Sequence, residues 1–350
     1  MDLQRLMARL SKVGYCLAGL YLFILGLKLI VAGARSFEGV LRFCSVDDVA
    51  GGLGFGWLMA CLVLSGSPVA ATSLSLHEEG TIDRLQTFAM INGSRLGAAF
   101  VVLLIGFLYD LRGKSHTKSV YVGALTLFTT LTTYIPAMFL GFGLLKLGWL
   151  GGFHPDWGRG VEGLLDLLIR PVIDLVKDRL AAGVIVPLGV LTLLLGFKVF
   201  DRVLPDVDPT QGWLARMATV VYRPMFTLLL GMLVTGVTLS VSVSLSILVP
   251  LTAKGYVRRE NLIPYIMGAN ITTWIDTMFA SLLMKSPDAF ELVLVEMVVG
   301  IIVSLPIIVF AYGIYERMID RLATAVTRDR VRLAIFVAFF LAVPVLLLVI

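Results

Sequence analysis

The stretch that decides the fold is residues 224–253, PMFTLLLGMLVTGVTLSVSVSLSILVPLTA, which contains no Asp, Glu, Lys or Arg. As one helix it would be about 45 Å long, whereas the hydrocarbon core of a bilayer is only about 30 Å thick. Its middle, from Thr238 to Ser244, is rich in hydroxyl residues, which loosen a helix where protein shields the backbone. The stretch therefore predicts a re-entrant hairpin that enters a membrane and returns to the same side.

A second uncharged run, residues 49–76, has the same design, with Ser65-Gly66-Ser67-Pro68 at its centre. It predicts a second re-entrant hairpin, entering from the opposite side of the membrane. The remaining apolar runs are long enough to cross a bilayer. They predict spans at 13–33, 89–109, 119–145, 180–197, 262–284, 292–315 and 333–350.

The composition agrees with a polytopic membrane protein. Of 350 residues, 58% are hydrophobic and 15% are charged, whereas soluble chains average about 45–50% and about 25%. Because the apolar surplus extends along the whole chain in unbroken runs, it excludes both a soluble enzyme with one anchor and an outer-membrane barrel. The three Cys and three His form no ligand spacing, so we expect neither a metal centre nor a disulfide framework. We expect no enzymatic activity and no cofactor other than a coupling ion.

The distribution of charge predicts the orientation. With both hairpins re-entrant, the loops on one side hold 18 Lys and Arg against nine acids, and those on the other side hold 8 against 13. The positive-inside rule places the first group, with the N-terminus, in the cytoplasm. We expect a multi-pass protein of the inner (plasma) membrane that keeps its N-terminus.

The chain matches itself at two similar offsets. At an offset of 170 the flanking segments match, with residues 25–28, LGLK, meeting residues 195–198, LGFK. At an offset of 175 the matches continue without gaps, pairing Gly56 with Gly231, Ser65 with Ser240, Ser67 with Ser242 and Gly93 with Gly268. Chance similarity between apolar helices is the alternative. Repeats that begin on opposite sides are typical of secondary transporters.

These matches predict an all-α protein of two inverted-topology repeats, each with a re-entrant helical hairpin, plus one extra C-terminal span. We divide the chain into a first repeat at 1–149, with its hairpin at 49–76, and a second at 182–315, with its hairpin at 224–253. An extracytoplasmic amphipathic connector, 150–181, joins them. Residues 316–350 form a basic cytoplasmic loop and the last transmembrane helix.

The second copy, from Gly231 to Ser242 and then Gly268-Ala-Asn270-Ile-Thr272-Thr273, resembles the type II sodium-dependent phosphate cotransporter family. Members of that family carry two copies of a Gln-Ser-Ser-Ser stretch followed by Gly-Ala-Asn-Ile-Gly-Thr-Thr. The resemblance covers residues 13–147 and 182–313. It implies sodium-coupled transport of inorganic phosphate by alternating access.

This sequence departs from the family pattern at several positions. Leu64 and Leu239 stand where the family has Gln, and Arg95 stands at the Asn position of the first copy. Asp276 stands where the family often has Thr, and Trp274 takes the place of its second Thr. A charge inside a membrane costs on the order of 2.5–3.5 kcal/mol, so Arg95 and Asp276 are candidate functional residues.

An oxyanion site in low dielectric needs neutral donors, and a guanidinium can grip such an anion in a fork. We predict that the substrate is bound by Ser65, Ser67, Arg95, Ser240, Ser242, Asn270 and Thr273. We predict that the coupling ion is held by Thr72, Ser244, Thr272 and Asp276.

Other roles are alternative interpretations for these residues. Serine and threonine in membrane helices often bond to the carbonyl four positions earlier. Arg95 and Asp276 could form an ion pair between the repeats, or Asp276 could carry a proton. Glu296, about one turn into its predicted span, is interpreted as lying near the membrane surface.

Two further functions are kept as alternatives. One is a sodium-independent carrier of another oxyanion, driven by protons or working as a uniporter. The other is a non-transporting membrane sensor or scaffold on a degenerate transporter fold. The expected partners are phosphate or a similar small anion, sodium and the lipid bilayer, with a homodimer left open and nucleic acid not expected.

Overall fold

The computed structural model describes residues 2–44, 46–111, 118–148, 159–201, 223–246, 248–253, 257, 259–284 and 286–349. Within these ranges the chain is mostly helical and forms no strand. The first half contains six helices, α1 to α6: Asp2–Phe43, Val49–Val63, Ser67–Glu78, Arg84–Ala98, Phe100–Leu111 and Lys118–Leu147. The later described helices, α7 to α16, are Arg159–Arg179, Ala182–Asp201, Pro224–Thr238, Val241–Ser246, Leu248–Ala253, Leu262–Thr272, Trp274–Leu282, Pro287–Pro306, Tyr312–Thr327 and Arg330–Leu347.

Five helical segments in the described part of the chain are long and apolar enough to cross a membrane. They are Ser11–Ala34, Arg84–Leu108, Ser119–Leu147, Asp288–Thr327 and Arg330–Leu347. The protein is therefore an all-α protein with the helices of a polytopic membrane protein. The predicted connector contains α7, and the predicted final span is α16.

Both long uncharged runs are broken at their centres, at matched positions. The first run is divided by Leu64, which ends α2 with φ 57, and the second by Leu239, which ends α9 with φ 47. A left-handed conformation costs an ordinary residue roughly 1–2 kcal/mol. Each of the two runs therefore contains a left-handed leucine after its first helix, and the two leucines are 175 positions apart.

In each half, the helix before the turn runs beside a later helix. A Cβ on Gly56 of α2 would lie 2.1 Å from the carbonyl oxygen of Met90 in α4, and one on Gly231 of α9 would lie 2.2 Å from that of Tyr265 in α12. Only glycine permits such close approach of two backbones. Gly52 meets Gln86 four residues before the first of these contacts, so α2 and α4 run parallel and α3 brings the chain back between them.

The flanking helices α1 and α8 pack against each other through two equivalent glycine contacts. Gly26 of α1 lies against Leu193 of α8, while Gly196 of α8 lies against Phe23 of α1. Gly26 and Gly196 are 170 positions apart, and so are Phe23 and Leu193. The two helices are antiparallel and make the same contact in both directions, as a two-fold axis requires.

Three of the predicted spans are less regular than expected. Ala99 separates α4 from α5, and Thr273 separates α12 from α13, each by a single residue. Pro306 ends α14 and is followed by a π-helical turn, Ile307–Ala311, because proline lacks the N–H group that the α-helical pattern needs. Nearly every residue of α4 and all residues of α12 are buried, so these two helices form the centre of the structure.

Candidate functional site

The centre of the structure is a contact between Arg95 of α4 and Asn270 of α12. The guanidinium donates from Nη2 to Oδ1 of Asn270 at 2.8 Å and from Nη1 to Oγ1 of Thr273 at 3.4 Å. Arg95 is 2% exposed and Asn270 is 1% exposed. Three of the predicted substrate-binding residues are therefore brought together, away from solvent.

Arg95 and Asn270 are equivalent positions of the two sequence copies, 175 residues apart. A direct contact between equivalent positions arises where a two-fold axis passes between them. Arg95 and Asn270 thus lie where the two halves of the chain meet.

Asn270 is held by α6, which is rich in threonine. Its Nδ2 donates to Oγ1 of Thr130 at 3.0 Å, and its backbone oxygen accepts from the hydroxyl of Tyr134 at 2.7 Å. The indole of Trp274 donates to the same hydroxyl at 3.2 Å. With both polar atoms of its amide engaged, Asn270 presents a fixed oxygen to Arg95.

A buried acid, Glu296, lies next to this network of hydrogen bonds. Glu296 of α14 is 0% exposed, and its Oε2 accepts from Nδ2 of Asn92 at 3.2 Å. Asn92 also donates to the backbone oxygen of Tyr134 at 3.3 Å. The interpretation of Glu296 as near the membrane surface concerns its depth and stays a prediction; its side chain is buried because α4 and α6 cover this face of α14.

Asp276 lies in the first turn of α13 and is 7% exposed. Its Oδ1 accepts from the backbone nitrogen of Thr277 at 2.5 Å and from the Thr277 hydroxyl at 3.0 Å, while its Oδ2 has no hydrogen-bond partner. Ser67, at the beginning of α3, interacts with this carboxylate. Arg95 interacts with Asp276 electrostatically, but they do not form one of the described ion pairs.

The other predicted substrate ligands lie at the two turns. Ser65, Ser67, Ser240 and Ser242 are half-buried, and no described hydrogen bond joins them to Arg95. The hydroxyl of Ser240 instead accepts from the backbone nitrogen of Val243 at 3.3 Å.

The hydroxyls predicted for the coupling ion are engaged elsewhere. Thr72 bonds to the carbonyl of Pro68 at 2.7 Å, and Thr272 bonds to that of Gly268 at 3.2 Å, the four-residue pattern expected of hydroxyls in helices. Ser244 accepts from the Thr235 hydroxyl at 2.8 Å and bonds to that of Tyr265 at 2.9 Å. Their oxygens are thus spread over α3, α10 and α12.

Two further contacts join the halves, one at each end of the helix bundle. Arg84 pairs with Glu291, Nη2 to Oε1, at 2.5 Å, and the guanidinium of Arg259 lies 4.7 Å from the ring centroid of Tyr121. The two arginines are 175 positions apart, and Tyr121 and Glu291 are 170 apart. The contacts are therefore equivalent.

These contacts lie on either side of Arg95. The helix α6 runs antiparallel to the continuous α14–α15 segment, since Tyr121 bonds to Asp320 at 2.5 Å whereas Tyr134 approaches Gly300. Glu291 lies at the beginning of α14 and Tyr121 at the beginning of α6. A contact made by an arginine therefore joins the two halves at each end of the bundle, Arg84 at one end and Arg259 at the other.

Four residues of the buried network were missed from the sequence: Asn92, Thr130, Tyr134 and Glu296. The available signal was weak. Five threonines fall between positions 126 and 133 of the uncharged run 119–145, and Glu296 interrupts another long apolar run. Both features are also found in ordinary membrane helices.

No protein-family model matches the chain, and no curated protein and no solved structure is significantly similar to it.

Proposed function

We propose that the protein is a secondary active transporter of inorganic phosphate in the inner (plasma) membrane, working by alternating access between two inverted repeats. The observation that carries this proposal is Arg95, a buried arginine that belongs to none of the described ion pairs. Its hydrogen-bond acceptors are neutral, and its Nε–H has no partner.

A buried cation of this kind is suited to an anion. A buried cation whose hydrogen-bond acceptors are neutral is disfavoured in low dielectric when it forms no ion pair, so a bound anion would be stabilised beside Arg95. A guanidinium offers a planar fork that fits two oxygens of a phosphate. The neutral donors around it would complete the binding without competing for the charge.

Alternating access is supported by the equivalent contacts at the two ends. In such a mechanism, each end opens in turn while the other stays closed. Arg84 with Glu291 would close one end, and Arg259 with Tyr121 the other. The re-entrant hairpins are α2–α3 in the first repeat and α9 to α11 in the second, with their turns directed toward the membrane centre.

Sodium is the coupling ion that the resemblance implies, but the described contacts support a sodium site less than they support an anion site. The oxygens of Thr72, Ser244 and Thr272 do not converge on one point with Asp276 among the described contacts. Sodium coupling therefore stays a prediction, beside sodium-independent transport and a non-transporting sensor or scaffold.

The test is exchange of labelled phosphate in proteoliposomes, with and without sodium. We expect exchange by the wild-type protein and its loss in Arg95→Ala, because this change removes the only buried guanidinium described at the centre. Arg179→Ala, an exposed arginine on α7, is the matched control and should exchange normally. Equal exchange in both variants would contradict the assignment of Arg95, and binding without flux would favour the sensor.

A further inference from the structure

Glu296 is a buried acid that the anion site does not use. Its Oε2 has Asn92 as its only described hydrogen-bond donor, and its Oε1 has no partner. None of the described ion pairs includes it. An isolated carboxylate in a low-dielectric interior is far less stable than a neutral carboxyl group, so such a group takes up a proton.

Hydrogen bonds connect this acid to the anion site. Asn92 bonds to both Glu296 and the backbone oxygen of Tyr134. The hydroxyl of Tyr134 donates to the backbone of Asn270, whose side chain accepts from Arg95. Asn92, Tyr134 and Asn270 therefore lie between the carboxyl group of Glu296 and the guanidinium of Arg95.

The charges of the buried centre give this connection a direction. When Glu296 is ionised, the buried centre contains the guanidinium of Arg95 and the two carboxylates of Glu296 and Asp276. The net charge of these three groups is negative, which disfavours binding of an anion. With Glu296 protonated, one cation stands against one carboxylate. Proton binding and anion binding therefore favour each other, and this coupling is reciprocal.

We propose that Glu296 is a proton-binding site that couples proton movement to the movement of the anion at Arg95. This proposal rests on the function proposed above and supplies its coupling ion. A hydronium ion on one side of the membrane gives its proton to a carboxylate oxygen of Glu296, so that its O–H bond breaks, the O–H bond of the carboxyl group forms and water is left. After the proton has crossed with the anion, the carboxyl O–H bond breaks and a water molecule on the other side takes up the proton as hydronium.

Other titratable and charged groups lie on the helices packed against α14. At the beginning of α14, His77 of α3 lies 3.9 Å from Asp288, and Arg84 pairs with Glu291. The same helices also carry Glu78 of α3, Tyr121, Tyr134 and Lys146 of α6, Arg95 of α4, Tyr265 of α12 and Asp276 of α13. In the described contacts none of these forms an ion pair with Glu296.

The first test is labelled-phosphate accumulation driven by an inward proton gradient in sodium-free proteoliposomes. We expect wild-type protein to accumulate phosphate and Glu296→Gln, which removes the titration, to lose the accumulation. Asp178→Asn, an exposed acid-to-amide change on α7, is the matched control and should accumulate phosphate as the wild type does. Accumulation by Glu296→Gln equal to that of the wild type would overturn the proposal.

The second test is the pH dependence of phosphate affinity. At each pH the affinity of the wild type is divided by that of Glu296→Gln, so that the effect of the ionisation of phosphate itself cancels. With one coupled proton, the wild-type affinity should fall by up to about tenfold per pH unit relative to Glu296→Gln on the alkaline side. A ratio that does not change with pH would overturn the coupling.

Infrared difference spectra separate the proton site from the transport function. We expect a carbonyl band of a protonated, buried carboxylic acid in the wild type that is absent in Glu296→Gln. If wild-type protein neither binds nor exchanges phosphate, the proposed function fails, and this band alone decides whether Glu296 takes up a proton. Exchange without the band would leave the proposed function standing and overturn the proton site.

Discussion

The contact between Arg95 and Asn270 should contribute a measurable coupling energy. Asn270→Ala removes the acceptor of the 2.8 Å bond from the guanidinium and the donor of the 3.0 Å bond to Thr130. A hydrogen bond to a charged group is worth about 1.5–3 kcal/mol and a neutral one about 1 kcal/mol. We therefore expect Asn270→Ala to lower the free energy of unfolding by about 2.5–4 kcal/mol in the wild-type background.

In an Arg95→Met background, where no guanidinium is left unpaired, the same change should cost only about 1 kcal/mol. The assay is reversible unfolding in mixed detergent micelles of the wild type, both single variants and the double variant. The expected coupling is about 1.5–3 kcal/mol, whereas Asn270→Ala combined with the distant Arg179→Ala should be additive. A coupling near zero between Arg95 and Asn270 would refute the contact.

Two other predictions concern the packing and the ends of the bundle. Gly56→Ala would place a Cβ 2.1 Å from the carbonyl oxygen of Met90 and should destabilise the protein by about 1–3 kcal/mol in the same unfolding assay. Gly143→Ala, which meets nothing within 4 Å, should be neutral or stabilising, and equal effects would contradict the close packing of α2 on α4. Arg84→Ala breaks the pair with Glu291 and should raise the accessibility of cysteines introduced at that end; unchanged labelling would show that this pair does not close it.

The breaks in the long apolar runs could be predicted from sequence because they follow from length. A run of 30 uncharged residues is too long for one crossing, and its hydroxyl-rich centre marks where the helix is weakest. The turn then falls at Leu239 and, in the other run, at Leu64. Neither leucine signals a left-handed conformation by itself, so the turn residue was not predictable.

The central contact could be predicted only in part. The match between the two copies identifies Arg95 and Asn270 as equivalent positions, and intramembrane charge singles out Arg95 and Asp276. Which charges pair depends on helix rotation, which one apolar sequence does not specify. The burial of Glu296 was missed for the same reason, because its position in the sequence does not give the face that α14 turns toward α4.

The permanent positive charge of Arg95 has a consequence for release of the anion in the proposed mechanism. A permanent charge attracts the anion at all times, so release depends on an opposing change elsewhere. Deprotonation of Glu296 would provide that change, because it restores a second carboxylate to the buried centre.

The most direct test of the account is equilibrium binding of labelled phosphate to the purified protein. We expect one saturable site per chain in the wild type, its loss in Arg95→Ala and its retention in Arg179→Ala. Phosphate binding by Arg95→Ala with unchanged affinity would contradict the central claim that this buried arginine holds the transported anion.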